Sequence, residues 1–145
     1  MPIRFFYEEV DFKIKSQRKI THWINESIKR ERKKIGEINY IFCCDSYLLN
    51  LNRDFLGHNT LTDIITFDYS EGDSLAGDIY ISIERVRENA LKFDTEPLDE
   101  LNRVMIHGVL HLSGYNDKLQ SEKSIMRKKE DAYLSLRKKL FHVKQ

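Results

Sequence analysis

Residues 64–82 read Ile64-Ile-Thr-Phe-Asp-Tyr-Ser-Glu-Gly-Asp-Ser-Leu-Ala-Gly-Asp-Ile-Tyr-Ile-Ser82. Two runs rich in β-branched and aromatic residues, 64–69 and 76–82, flank the polar stretch 70–74 with Gly72 inside it, which is the pattern of an antiparallel hairpin. Upstream, residues 3–6 read as a short strand, and 37–44, with Ile38, Tyr40, Ile41 and Phe42, as a second. Between them, Ile20, Trp23, Ile24 and Ile28 recur at spacings of three and four, which predicts a helix over 15–34 with Gly36 just past its end. Asp45 is placed to cap a helix that runs to Leu56 and stops at Gly57, and 58–62 is a loop. Downstream, 84–93 is helical, Pro97 opens a helix running through Leu112, and 121–141 forms a last, strongly basic helix. In the order β α β α β β α α α, helices join some strands and a hairpin joins others, so parallel and antiparallel pairs share one sheet. The expected fold is α+β, a small mixed four-stranded sheet packed with about five helices, in a single domain over 1–145.

Composition agrees with one compact core. The chain has 145 residues, 41% hydrophobic and 32% charged, with 6 Gly and 2 Pro, which is neither collagen-like nor low-complexity. No apolar run approaches the roughly 20 residues that span a bilayer, and the first dozen residues carry charges where a signal peptide needs an apolar stretch. The expectation is a soluble cytoplasmic protein with no membrane partner. Cys43 and Cys44 are adjacent, too close for an ordinary disulfide and without the second pair of a zinc-binding CxxC arrangement, so they are expected to pack as small apolar residues.

A formal net charge of +1 hides strong segregation. Residues 13–34 hold nine Lys or Arg against Glu26 and Glu31, and 118–145 hold nine against Glu122, Glu130 and Asp131, while 63–100 hold eleven acidic residues against three basic ones. If the two basic segments meet in the fold they form a positive face suited to a polyanion such as RNA; if not, they are two solvated helix surfaces.

The stretch that carries chemistry is His107-Gly-Val-Leu-His-Leu-Ser-Gly-Tyr-Asn-Asp117. Two His four apart on a helix stand one above the other, so both imidazoles reach one point. Gly114 can end the helix in a left-handed conformation, and the returning chain then brings Asp117 toward that point. Two His and one carboxylate leave a coordination position open, the mark of a catalytic rather than a structural zinc site. The bland alternative is a pair of hydrogen-bonded core histidines. A zincin peptidase would need Glu after the first His, where this chain has Gly108. The same ligand set also suits a non-haem Fe(II) oxygenase, although the chain lacks the all-β scaffold such enzymes often use.

These residues resemble the YbeY family, bacterial rRNA maturation factors described as metal-dependent, single-strand-specific endoribonucleases, whose signature usually reads HGxLHLxGYDH. The resemblance extends to Leu51-Asn-Arg53, to Thr62-Asp-Ile-Ile-Thr-Phe67 (compare TDVLSFP) and to Gly77-Asp-Ile79, and spans most of 40–134 in the expected order. It implies a mixed four-stranded sheet packed with helices, in agreement with the order read above. Carried across by position, His107 and His111 match the first two metal ligands, and Asp117 stands where the third His usually is. An anionic ligand lowers the net charge at the metal, which weakens acidification of a bound water and favours a harder ion relative to three His. A second departure is Asp68, where the family commonly has Pro. Arg53 matches an arginine thought to face the active site, and a guanidinium suits a phosphate; otherwise it is a helix-surface Arg. Asp63 and Asp78 are placed to cap, pair or orient, and His58 lies in the loop before Thr62; none of the three is assigned a catalytic role.

The resemblance therefore implies a zinc-dependent endoribonuclease, one Zn2+ per chain, acting on single-stranded RNA in rRNA processing, including 16S rRNA 3′ end maturation, and in ribosome biogenesis. His107, His111 and Asp117 would hold the metal, Arg53 would neutralise a phosphate oxygen, and the ribosome or its small subunit would be the partner. Two other readings stand beside it: a ribosome-associated assembly factor with a mainly structural metal, and a metallohydrolase acting on another substrate.

Overall fold

The computed structural model describes residues 2–141; of the expected 1–145 span, Met1 and 142–145, with Lys144 of the basic segment, lie outside the described residues. The elements follow the expected order: β1 (Ile3–Tyr7), α1 (Gln17–Arg30), β2 (Lys34–Cys43), α2 (Asp45–Leu56), β3 (Ile64–Asp68), β4 (Ser74–Ser82), α3 (Ile83–Lys92), α4 (Pro97–Leu112) and α5 (Gln120–Leu140). They form one four-stranded sheet in the order β1-β2-β4-β3. β1, β2 and β4 run parallel, and only β3 is antiparallel, paired to β4 with Thr66 opposite Ile79. The hairpin read from 64–82 is therefore the single antiparallel feature of an otherwise parallel α+β sheet. The expected helix over 15–34 is shorter: Arg32 turns at φ 60, and Lys34 already pairs with Ser74, so Gly36 sits inside β2 rather than after a helix. Asp45 is the first residue of α2 rather than its cap, since Cys44 is the N-cap; the Asp45 carboxylate instead accepts from Ser82 Oγ at 2.7 Å and pairs with Arg85 at 3.2 Å. Gly57 does end α2, at φ 69.

Burial follows the period-two alternation of β4, where Leu75, Ile79 and Ile81 point into the main core and Tyr80 points to the other face. The main core lies between the sheet and α1, α3, α4 and α5, and includes Trp23, Tyr40, Phe42 and Met105. Fully burying one such apolar side chain is worth roughly 1.5–3 kcal/mol. The opposite face is thinner, with α2 supplying Leu48 against Cys43 and Ile65. Burial pushes the Cys43 thiol up to about 12, so it packs as a neutral group. The two basic segments meet: α1 packs on α5, with Trp23 Nε1 donating to the Tyr133 carbonyl at 2.8 Å. Among the described residues no helix is long and apolar enough to cross a membrane.

Candidate metal centre

α4 is buried on most of its circumference because it is sandwiched between the sheet, α3 and α5. Its edge with Glu100, Arg103, Val104, His107 and His111 opens to a cavity. The reason is partly Gly108, where a Cβ would come within 2.9 Å of Ile79 Cγ2 and 3.2 Å of Ile64 Cδ1. The helix therefore lies hard against β3 and β4, and position 108 faces the sheet. A glutamate at this position would be driven into the core rather than toward the histidines, so the zincin arrangement is sterically closed to this fold.

The helix ends as the sequence required. Gly114 takes φ 107, its N–H donating to the His111 carbonyl at 3.0 Å, and Tyr115 N–H donates to Leu110 O at 3.0 Å. The chain then returns, and Asp117 Oδ2 stands 3.2 Å from His107 Nε2 and 3.3 Å from His111 Nε2. The three ligand atoms lie within 4.8 Å of one another. The other ring nitrogens are committed elsewhere: His107 Nδ1 meets Glu130 Oε2 at 2.7 Å, and His111 Nδ1 meets the Tyr115 carbonyl at 2.9 Å. A carbonyl only accepts, and the Glu130 carboxyl is held ionised, so both Nδ1 atoms carry a proton and Nε2 is the nitrogen each ring turns toward Asp117. Burial works against the Glu130 charge, but hydrogen bonds from His107 and Arg103 outweigh it and keep this carboxyl below its ordinary range. Likewise, burial opposes a charged His107, yet the Glu130 and Asp117 carboxylates leave its imidazole above the usual histidine range. Two imidazoles and an anionic oxygen converging on one point fit a divalent metal ion, and His107, His111 and Asp117 can bind a metal.

The cavity, of about 790 Å³, is walled by β3, the 58–63 loop, α4 and the first turns of α5. Asp63 and His58 line it, whereas Asp78 lies away from it and accepts from Asn39 Nδ2 at 3.0 Å. Burial raises the Asp63 carboxyl, with the nearby His107 charge opposing. Asp68, where the related signature has Pro, ends β3 and also lines the cavity. Arg53 is not brought into the lining: it lies exposed on the last turn of α2 with a guanidinium nitrogen donating to Asn50 Oδ1. Its neighbours Asn52 and Leu56 do face the cavity, and Asn52 Nδ2 ties down the loop through the Thr60 carbonyl at 2.9 Å.

Glu130 escaped the sequence reading, as did Arg103, which bridges Glu130 at 2.8 Å and Asp131 at 2.7 Å. One signal was present: Met126, Glu130 and Tyr133 share one helical face and are all buried, so a lone acid interrupts an apolar stripe. Glu31, at the end of α1, accepts from Tyr115 Oη at 2.6 Å, from Tyr133 Oη and from Lys129 Nζ at 3.1 Å, which ties the ligand loop to both basic helices.

Known proteins are similar to this chain over nearly its whole length. A family model described as endoribonuclease YbeY matches residues 4–138. An endoribonuclease YbeY of Flavobacterium psychrophilum is 56% identical over 140 residues, covering 97% of both chains. One of Cytophaga hutchinsonii is 53% identical over 137 residues, covering 94% of this chain and 96% of its own. A Thermotoga maritima protein solved in solution aligns with a TM-score of 0.67 at 29% identity, covering 97% of this chain and 91% of the other. With a family model and relatives above half identity both spanning the fold and its metal-ligand signature, the chain belongs to the endoribonuclease YbeY family.

Proposed function

We propose that this protein is a zinc-dependent endoribonuclease of the cytoplasm that cuts single-stranded RNA during rRNA processing, including 16S rRNA 3′ end maturation, and associates with the ribosome or its small subunit, working as one metallohydrolase domain. The observation that carries the reading is the convergence of His107 Nε2, His111 Nε2 and Asp117 Oδ2 at the wall of a large open cavity, in a chain of this family. One zinc ion held by these three atoms would supply a Lewis acid able to polarise a phosphodiester and lower the pKa of water. The protein's own part is to hold that geometry. Glu130 fixes the His107 ring and the Tyr115 carbonyl fixes the His111 ring, so neither ligand must rotate to bind. Arg53 is the proposed phosphate contact at the mouth of the cavity. It has a long guanidinium on an exposed turn, engaged within the described residues only by Asn50. The positive surface made by α1 and α5 raises the local concentration of the strand.

The deciding experiment is cleavage of an end-labelled single-stranded RNA by wild type and His111→Ala purified in parallel, with metal content determined on both. Cleavage and about one metal per chain in the wild type, with both lost in the variant, is the expected result. Equal cleavage by both would assign the activity to a contaminant. A metal-loaded wild type that cleaves nothing would leave the assembly-factor reading in its place.

A further inference from the structure

The cavity beside the metal ligands is rich in carboxylates: Asp63, Asp68, Glu100, Asp117 and Glu130 all line it. A phosphodiester approaching this wall meets like charge, and Asp117 makes the ligand set itself anionic. The lining holds three permanent cations, Arg103, Lys118 and Arg127. Arg103 is committed to Glu130 and Asp131. Arg127 has neither an ion pair nor a side-chain hydrogen bond among the described residues. It stands one helical turn before Glu130 on the same face of α5, so it is turned toward the cavity from the side of the Asp117 loop. Its charge reaches across the space: Glu100 is raised by burial, and Arg127 is among the cations that pull it back.

We propose that Arg127, with Lys118 of the same cavity lining, binds the non-bridging oxygens of the RNA phosphate seated at the His107–His111–Asp117 group, a role distinct from that proposed for Arg53. A planar guanidinium in no ion pair among the described residues is suited to take two phosphate oxygens at once, whereas the Lys118 ammonium adds a point charge. Together they offset the negative wall. This inference rests on the endoribonuclease reading, and its failure can be told apart from the failure of that reading.

The test is fluorescence anisotropy of a labelled, 2′-O-methylated single-stranded oligonucleotide with metal-loaded protein, across a salt series, for wild type, Arg127→Ala, Arg127→Lys and Arg87→Ala. Arg87 is exposed on α3, does not line the cavity and lies outside both basic segments, so its loss is the same charge change away from the basic helices. Arg127→Ala should weaken binding about tenfold and reduce the magnitude of the log–log salt slope by about 0.7, the value of one lost single-strand phosphate contact. Arg127→Lys should restore part of the loss, Arg87→Ala should change binding less than about twofold, and metal content should stay the same throughout. Equal effects at 127 and 87, or no effect at 127 while the wild type binds, would overturn the inference and leave the function standing. A metal-loaded wild type that binds no single-stranded RNA would overturn both.

Discussion

Glu130 illustrates how one side chain can matter without touching substrate. Its carboxylate holds the Nδ1–H of His107 at 2.7 Å and is itself held by Arg103 at 2.8 Å, inside the fold. Glu130→Gln keeps the shape but removes the charge that favours this tautomer, so metal affinity should fall about 10- to 100-fold, as read by titration against a chromophoric chelator. Unchanged affinity would show that His107 needs no such support. Glu31 makes a different prediction. Burial works against its charge, but donation from Tyr115, Tyr133 and Lys129 wins, and the folded carboxyl lies below the ordinary glutamate range. A folded-state pKa below the unfolded one stabilises the protein above the unfolded value, and that contribution disappears as pH falls through the folded value. Wild type should therefore lose stability on acidification below the ordinary glutamate range, and Glu31→Gln should lose this part of the dependence while being less stable at pH 7 by about 1.5–3 kcal/mol. Denaturant unfolding at a series of pH values checks both. His107, His111 and Asp117 were legible because they lie on one helix and its immediate return. Glu130 and Glu31 were not, because what brings Glu130 to His107 and Glu31 to Tyr115 and Tyr133 is the packing of α5 and α1 against the rest, which no local spacing encodes.

At the scale of elements, α4 decides where the site can be. Its closeness to the sheet depends on Gly108, whose missing side chain leaves no room for a methyl beside Ile79 and Ile64. Gly108→Ala should push α4 outward and cost about 1–3 kcal/mol, measured as a lower midpoint in urea, together with weaker metal binding because His107 and His111 ride on the same helix. A variant as stable as wild type would mean that the packing relaxes without moving the helix. The same element couples metal to stability. His107 and His111 belong to α4, whereas Asp117 belongs to the connection before α5, so an ion bound by all three cross-links two segments only in the folded state. Chelation should lower the melting temperature, since ligand at about 100 times its Kd stabilises by about 2.7 kcal/mol; an unchanged melting temperature would exclude tight binding by these residues. Element type and order were legible from periodicity, turn residues and the hairpin signal. The end of α1 was not, because the basic run 29–34 continues a helical composition while the sheet recruits Lys34 as a strand residue.

Across the whole molecule, the segregation of charge acquires a meaning that the sequence left open. α1 and α5 are packed together through Trp23 and Tyr133, and Arg18, Lys19, Lys29 and Arg30 stay exposed on α1, so the two basic segments form one surface. The acidic segment supplies β3, β4 and α3, and its Asp63 and Asp68 line the cavity together with Arg127 of α5. The candidate metal centre thus sits in a cavity lined by parts of both an acidic and a basic segment. A polyanion drawn to the basic helices meets repulsion from these carboxylates, which favours contact with α5 over contact with β3. Such binding releases counterions, so RNA affinity should fall steeply with salt, with a log–log slope of about −0.7 for each phosphate neutralised. Replacing Lys29 and Arg30 together by Gln should make that slope shallower while leaving metal content and melting temperature close to wild type, because both side chains are exposed. A slope that ignores this change, or a flat salt response in the wild type, would remove the basic surface from the path of the strand and leave the cavity cations alone to hold it.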